Sequence, residues 1–102
     1  MKAKDYFEKY FAGRSLDDLQ EDDRFVRITI DFMNELTAET LALCESRGSR
    51  SNAVFDGAMN ESNKKFNAVC NLCEKKFGTP ILRRNGFRNY WEGRMKEEGI
   101  IK

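Results

Sequence analysis

The fold class of this chain depends on one stretch, EDDRFVRITIDFMNELTAETLALCESRG, which covers residues 21–48. Its first part alternates apolar and polar side chains over residues 25–32, with Val26, Ile28 and Ile30 among the apolar members. Alternation in β-branched residues is typical of a half-buried strand. A strand at this place would make the protein an α+β protein.

The same stretch also fits one long amphipathic helix, because its apolar side chains collect on one broad arc of the helical projection. That arc consists of Phe25, Val26, Ile30, Met33, Leu36, Leu41, Leu43 and Cys44. A helix accounts for more residues than a strand does, over a length that strands do not reach, and Gly48 supplies its end. We therefore predict a helix over 21–48. Its apolar arc covers about half the circumference, more than an ordinary surface helix needs, so two neighbouring helices or a second chain should cover it.

A second long helix is predicted over residues 53–77. Its apolar side chains follow a spacing of three and four residues throughout, and Cys70 and Cys73 belong to that stripe. Asn52 is the predicted N-cap. Gly78 fits the position that follows a helix, and Pro80 prevents the helix from continuing.

Shorter helices are predicted at both ends. An aromatic face marks residues 3–12, and Ser15 with Asp18 forms a capping box for a helical turn at 16–20. A last helix is predicted over 87–98, after a short turn that begins with Thr79 and Pro80. We thus predict an all-α fold, a compact bundle of three to four helices that makes residues 1–102 a single domain.

An α+β alternative remains open at the sequence level. It combines the strand at 25–32 with a β-hairpin at 81–91, because Asn85-Gly86 is a strong signal for a tight hairpin turn.

Composition and charge restrict which cellular compartment and which kinds of partner we expect. The net charge is +1, but residues 1–51 carry 8 basic and 11 acidic side chains, whereas residues 52–102 carry 10 and 6. This uneven distribution of charge fits two solvated ends of one domain. It also fits two oppositely charged surfaces that attract partners. No signal peptide and no apolar run of membrane length are present. Three cysteines do not suggest a disulfide framework, so we expect a cytoplasmic protein with no membrane partner.

Catalytic and metal-binding constellations are not apparent. The chain has no histidine, which removes the commonest general base and every Ser-His or Cys-His arrangement. One C-x-x-C and a lone Cys44 do not supply the two ligand pairs of a structural zinc site. A reactive C-x-x-C lies where a helix begins, whereas Cys70 and Cys73 lie deep inside one. We therefore predict no enzyme activity, no metal and no cofactor.

Two surfaces carry side chains that suit binding. The first is the basic-aromatic tail, whose candidate residues are Arg83, Arg84, Arg88, Tyr90, Arg94 and Lys96. Arginine and tyrosine suit phosphates, bases and protein partners alike, although the same cations can simply be solvated. The second is the asparagine stripe on the long helix, formed by Asn60, Asn63, Asn67 and Asn71. Its amides can bond a partner helix, a peptide or a small polar ligand, or water alone.

A charged helical chain of about a hundred residues without a catalytic motif resembles small uncharacterised proteins of bacteriophages and mobile elements. That resemblance implies a role in modulating a host or phage macromolecule by binding it. Our leading hypothesis is a non-enzymatic, self-associating protein that binds a protein partner through the asparagine stripe and the basic-aromatic tail. The alternatives are a nucleic-acid-binding protein that uses the tail, and an oligomeric binder of a small anion such as a nucleotide.

Overall fold

A computed structural model of the chain describes residues 1–20, 22–48 and 51–99. These residues form five helices: α1 (Ala3–Tyr10), α2 (Leu16–Gln20), α3 (Asp22–Ser46), α4 (Asn52–Phe77) and α5 (Gly86–Glu97). No strand occurs in these ranges, so the predicted all-α fold with two long helices is confirmed. The shorter helices pack against the two long ones.

Helix α3 confirms the helix predicted over 21–48 and excludes the alternative of a strand at 25–32. Ile28, Phe32 and Leu36 are buried, but Ile30, which a strand would place on the same face as Ile28 and Phe32, is exposed. Burial therefore follows a helix face rather than a pleated strand. The helical prediction also needs a correction, since Val26 and Ile30 point outward rather than into the core. Two neighbouring residues that the predicted arc omitted, Ile28 and Phe32, are buried instead.

Helix α4 begins and ends through identifiable caps. Its N-cap is Ser51 rather than the predicted Asn52, and the Ser51 hydroxyl accepts a hydrogen bond from the Val54 amide at 3.3 Å. At the other end Gly78 adopts a left-handed φ of 73° and donates its amide hydrogen to the Glu74 carbonyl at 2.9 Å. The predicted capping box before α2 is confirmed, because Ser15 and Asp18 each bond the other's backbone amide at 3.2 Å.

Helix α5 replaces the hairpin that Asn85-Gly86 suggested at 81–91. Gly86 is the first residue of the helix, and Phe87, Trp91 and Met95 are buried at a spacing of four residues. Asn89 and Gly93, which a strand would place on that same face, are exposed, so the buried face is that of a helix. The short turn predicted after Thr79 is not helical, since residues 78–85 form an irregular connection.

The core is a row of aromatic rings that joins all the larger helices. Phe32 of α3 lies between Tyr6 of α1 and Phe66 of α4, with ring centroids 5.3 and 5.4 Å apart. Phe66 then stacks on Phe87 of α5 at 6.2 Å, and Phe87 on Trp91 at 6.4 Å. Contacts at these distances add to the stability that burial alone supplies.

Carboxylates of α3 hold α1 in place. Glu35 accepts hydrogen bonds from Lys9 at 2.6 Å and from the Tyr10 hydroxyl at 2.5 Å. Glu39 accepts from the Tyr6 hydroxyl at 2.6 Å and from Lys65 of α4. The acidic side chains in the middle of α3 are therefore structural links between three helices.

Candidate interaction surface

The basic-aromatic tail is largely neutralised by neighbouring glutamates. Arg84 makes a two-point ion pair with Glu74, with both nitrogen–oxygen distances at 2.9 Å. Arg88 and Arg94 each pair with the glutamate four residues further along the chain: Arg88 with Glu92 at 3.3 Å, and Arg94 with Glu98 at 3.4 Å. Three of the tail's arginines thus already have an anionic partner within the protein, which lowers the positive potential that a phosphate backbone would meet.

Tyr90 and Arg94 are half-buried and contact α3. The Tyr90 hydroxyl donates to the Asn34 side-chain oxygen, and Arg94 approaches the same oxygen at 3.4 Å. Arg94 also lies over the Tyr90 ring, 6.0 Å from its centroid. These two predicted binding residues therefore fasten α5 to α3. Among the described residues, the tail leaves Arg83 and Lys96 exposed without an ion pair.

The asparagine stripe is divided between exposed and half-buried positions. Asn60 and Asn71 are exposed, whereas Asn63 and Asn67 are half-buried. The side-chain oxygens of Asn63 and Asn67 are inaccessible to solvent and have no hydrogen-bond partner in the described part of the chain. The four amides therefore do not form one open polar face.

The three cysteines are buried, free thiols. Burial raises the pKa of Cys70 to about 11 and that of Cys73 to about 12, so neither is a thiolate near neutral pH. Residues 1–20, 22–48 and 51–99 also contain no group of three side chains placed to ligate a metal ion. The C-x-x-C motif packs in the core, as the helical spacing predicts.

An apolar groove lies between α3 and the connection that precedes α5. We call it the α3 groove. It has a volume of about 310 Å³ and is lined by Phe25, Thr29, Met33, Phe66, Ile81, Leu82, Arg83 and Gly86. Phe25, Thr29 and Met33 succeed one another at single turns of α3 and form one wall, while the buried Phe66 ring closes the floor. Arg83, on the opposite wall, is the one predicted binding residue that this groove includes.

Sequence reasoning did not identify the α3 groove. The signals were present, since Phe25, Thr29 and Met33 are four residues apart and Ile81-Leu82 is an apolar pair beside two arginines. What the sequence does not show is that the connection after α4 returns to the side of α3, which brings these two sets together.

A larger cavity of about 440 Å³ is less suited to a ligand. It is lined by Glu39, Leu43, Glu61, Ser62 and Lys65. Its charged side chains are already engaged, because Lys65 binds Glu39 and Glu61 forms a two-point ion pair with Arg47 at 2.8 Å. These charges stabilise the contact of α3 with α4 and leave little to recognise a partner.

Comparison with protein-family models, with curated proteins and with solved structures gave no match for this chain. Within the described ranges, none of the helices combines the length and the apolar character that crossing a bilayer requires. The surface geometry is accordingly the basis for a functional proposal.

Proposed function

We propose that this chain is a non-enzymatic interaction protein that binds an amphipathic segment of a protein partner in the α3 groove. The observation that supports this is the groove itself, an apolar depression bounded by a cation that has no ion pair among the described residues. Open apolar grooves on small helical proteins suit the apolar side chains of a helix or peptide.

Arg83 limits the chemistry of that segment. The groove floor and the α3 wall are apolar, so the segment inserts one or two large apolar side chains. An exposed guanidinium at the edge favours a carboxylate placed within about one helical turn of that anchor. The expected ligand is therefore an acidic amphipathic peptide rather than a basic one.

The ion pairs of the tail argue against the two anionic-ligand alternatives. Arg84, Arg88 and Arg94 each have a glutamate partner, and a nucleic acid or a nucleotide would have to displace those carboxylates. A protein ligand in the groove needs only Arg83, which is available. Binding of DNA or of a nucleotide is therefore a competing outcome of the experiments below.

A cytoplasmic location fits the same proposal, because the three cysteines are free thiols and a reducing compartment keeps them so. The resemblance to small proteins of phages and mobile elements suggests that the partner is a host or phage macromolecule. An acidic amphipathic segment on such a protein is the feature to look for.

The proposal can be tested with a displayed library of random peptides selected on the wild-type chain. We expect the enriched peptides to combine a large apolar residue with Asp or Glu within one turn. Thr29→Arg, which fills the groove, and Arg83→Glu, which reverses its cation, should each weaken binding of a selected peptide at least about tenfold, as measured by isothermal titration calorimetry. Lys96→Glu is the matched control, because it reverses an exposed cation outside the groove.

Three results would contradict the proposal. Peptides that bind Thr29→Arg as well as wild type would place the site elsewhere, and failure to enrich any peptide would argue against a peptide groove. Duplex DNA that binds the chain with an affinity falling steeply with salt would support the nucleic-acid alternative instead.

A further inference from the structure

The first half of α3 presents an apolar ridge to solvent. Val26 is 53% exposed and Ile30 is 42% exposed, and among the described residues Met1 is the one other large hydrophobic side chain that is exposed. Val26 and Ile30 are one turn apart and therefore adjacent on the helix surface. We call this pair the α3 ridge. It adjoins the α3 groove but faces a different direction.

The ridge belongs to a face of α3 that the protein covers elsewhere. At 100° per residue, Val26, Ile30, Thr37, Leu41 and Cys44 all fall within an arc of about 60°. Thr37 and Cys44 are buried and Leu41 is half-buried, whereas Val26 and Ile30 are open. Helix α5 is fastened to α3 at Asn34. The same face thus passes from covered to uncovered toward the N-terminus of α3.

Two opposite charges flank the ridge on one side. Arg27 and Asp31 are both exposed and lie one turn apart beside Ile30. Neither side chain forms an ion pair within residues 1–20, 22–48 and 51–99, and they do not pair with each other. An apolar strip with one unpaired cation and one unpaired anion on the same flank is complementary to itself.

We propose that two copies of this chain pair through the α3 ridge, with their α3 helices antiparallel. In an antiparallel pair, residues on the same flank of the two helices face each other. A two-fold axis near residue 28 or 29 places Val26 against Ile30 of the second copy, and Arg27 against Asp31 of the second copy. The symmetry forms each of these contacts twice.

The charges distinguish this orientation from a parallel one. In a parallel pair the flank that carries Arg27 and Asp31 faces the opposite flank, where Thr29 and Phe25 lie, and neither charge gains a partner. The antiparallel pair creates no conflict at the end of the ridge either, since Asp23 then faces the uncharged Asn34 of the second copy. The pairing does not depend on the proposed function, because it uses Val26 and Ile30 rather than the lining of the groove.

The oligomeric state of the full chain tests this proposal. Sedimentation velocity over a wide range of protein concentration should show a reversible dimer. Ile30→Lys should raise the dimer dissociation constant about a hundredfold or more, because it places a lysine at the centre of the contact. Lys64→Asp on α4 is the control, since it changes an exposed charge away from the ridge and should leave the dissociation constant unchanged.

A charge exchange tests the orientation. Arg27→Asp and Asp31→Arg should each weaken the dimer about fivefold or more, and the double variant should restore it, because both pairs form again with their signs reversed. Thermal unfolding of each variant checks that the monomer remains folded.

Three outcomes would overturn the proposal. They are a chain that stays monomeric, a dimer insensitive to Ile30→Lys, and a double variant that dimerises no more tightly than the single variants. Arg83→Glu lies in the connection before α5, away from the ridge, so it should leave the dimer intact while it weakens peptide binding, and the two proposals can fail separately.

Discussion

Cys70 and Cys73 illustrate how burial decides the chemistry of a residue. Their C-x-x-C spacing suits metal or redox chemistry, but they lie on the inward face of α4 and have pKa values of about 11 and about 12. Because the thiolate is the nucleophile, we expect all three cysteines to react with a disulfide reagent at neutral pH at least about a hundredfold more slowly in the native chain than in denaturant. The rate is measured from the absorbance of the coloured thiolate that the reagent releases. One fast thiol in the native chain would contradict the structural role.

Glu39 is the residue whose ionisation most directly affects stability. Burial by itself raises the pKa of this carboxyl, but hydrogen bonds from Lys65 and Tyr6 more than offset it and lower the pKa to about 2, from an ordinary value of 4.5. The folded-state pKa is the lower one, so the stabilisation is present above pH 4.5 and is lost as the pH falls toward 2. Glu39→Gln should therefore make the free energy of unfolding less dependent on pH in that window.

Urea unfolding at several pH values between about 2 and 5 measures this slope. Glu97→Gln is the matched control, since Glu97 is exposed and forms no ion pair within the described residues. Glu39→Gln should also cost about 1–2 kcal/mol at neutral pH, because Lys65 loses its charged partner. Equal slopes for the two variants would mean that Glu39 does not hold α1 and α4 together.

The ends of the helices were predictable because their signals are local, and they offer a paired test. Gly78 ends α4 with a φ of 73°, whereas Gly93 lies within α5 and an added methyl group there would meet no atom within 4 Å. Gly78→Ala should destabilise the protein by about 1 kcal/mol, since a side chain disfavours the left-handed region. Gly93→Ala should stabilise it by about 0.5–1 kcal/mol.

Chemical denaturation of the two variants and of wild type measures both changes in the free energy of unfolding, for a glycine-to-alanine substitution at each position. A loss of stability in both would contradict the open space found beside Gly93, and a gain in both would contradict the cap at Gly78.

The outward position of Val26 and Ile30 was not predictable, and the reason is physical. A helical projection assumes that one direction is buried along the whole helix, but the neighbours of α3 change from one end to the other. Asn34 contacts α5, and the same face of α3 is buried beyond it at Thr37 and Cys44 but open before it at Val26 and Ile30. The position of α5 depends on the path of residues 78–85, which carries no periodic signal. The α3 groove was missed for the same reason.

For the molecule as a whole, the aromatic row implies that the helices unfold together. Phe66 links its two halves, because its ring stacks on Phe32 with an interplanar angle of 6° and also on Phe87 of α5. Phe66→Leu should lower the free energy of unfolding by about 1–2 kcal/mol, since leucine keeps much of the volume but loses both ring contacts. Phe77→Leu, on the same helix but half-buried at its end, should cost less.

Trp91 is the single tryptophan, and because its ring packs against Phe55 its fluorescence reports the docking of α5 on α4, whereas circular dichroism reports on all the helices. If the aromatic row couples α5 to the rest, tryptophan fluorescence and circular dichroism should give the same denaturation midpoint in wild type, in Phe66→Leu and in Phe77→Leu. A fluorescence transition at lower denaturant than the dichroism transition in wild type would instead make α5 a separate unit. Residues 78–85, which line the α3 groove, would then unfold together with α5. The groove would exist only while α5 is docked.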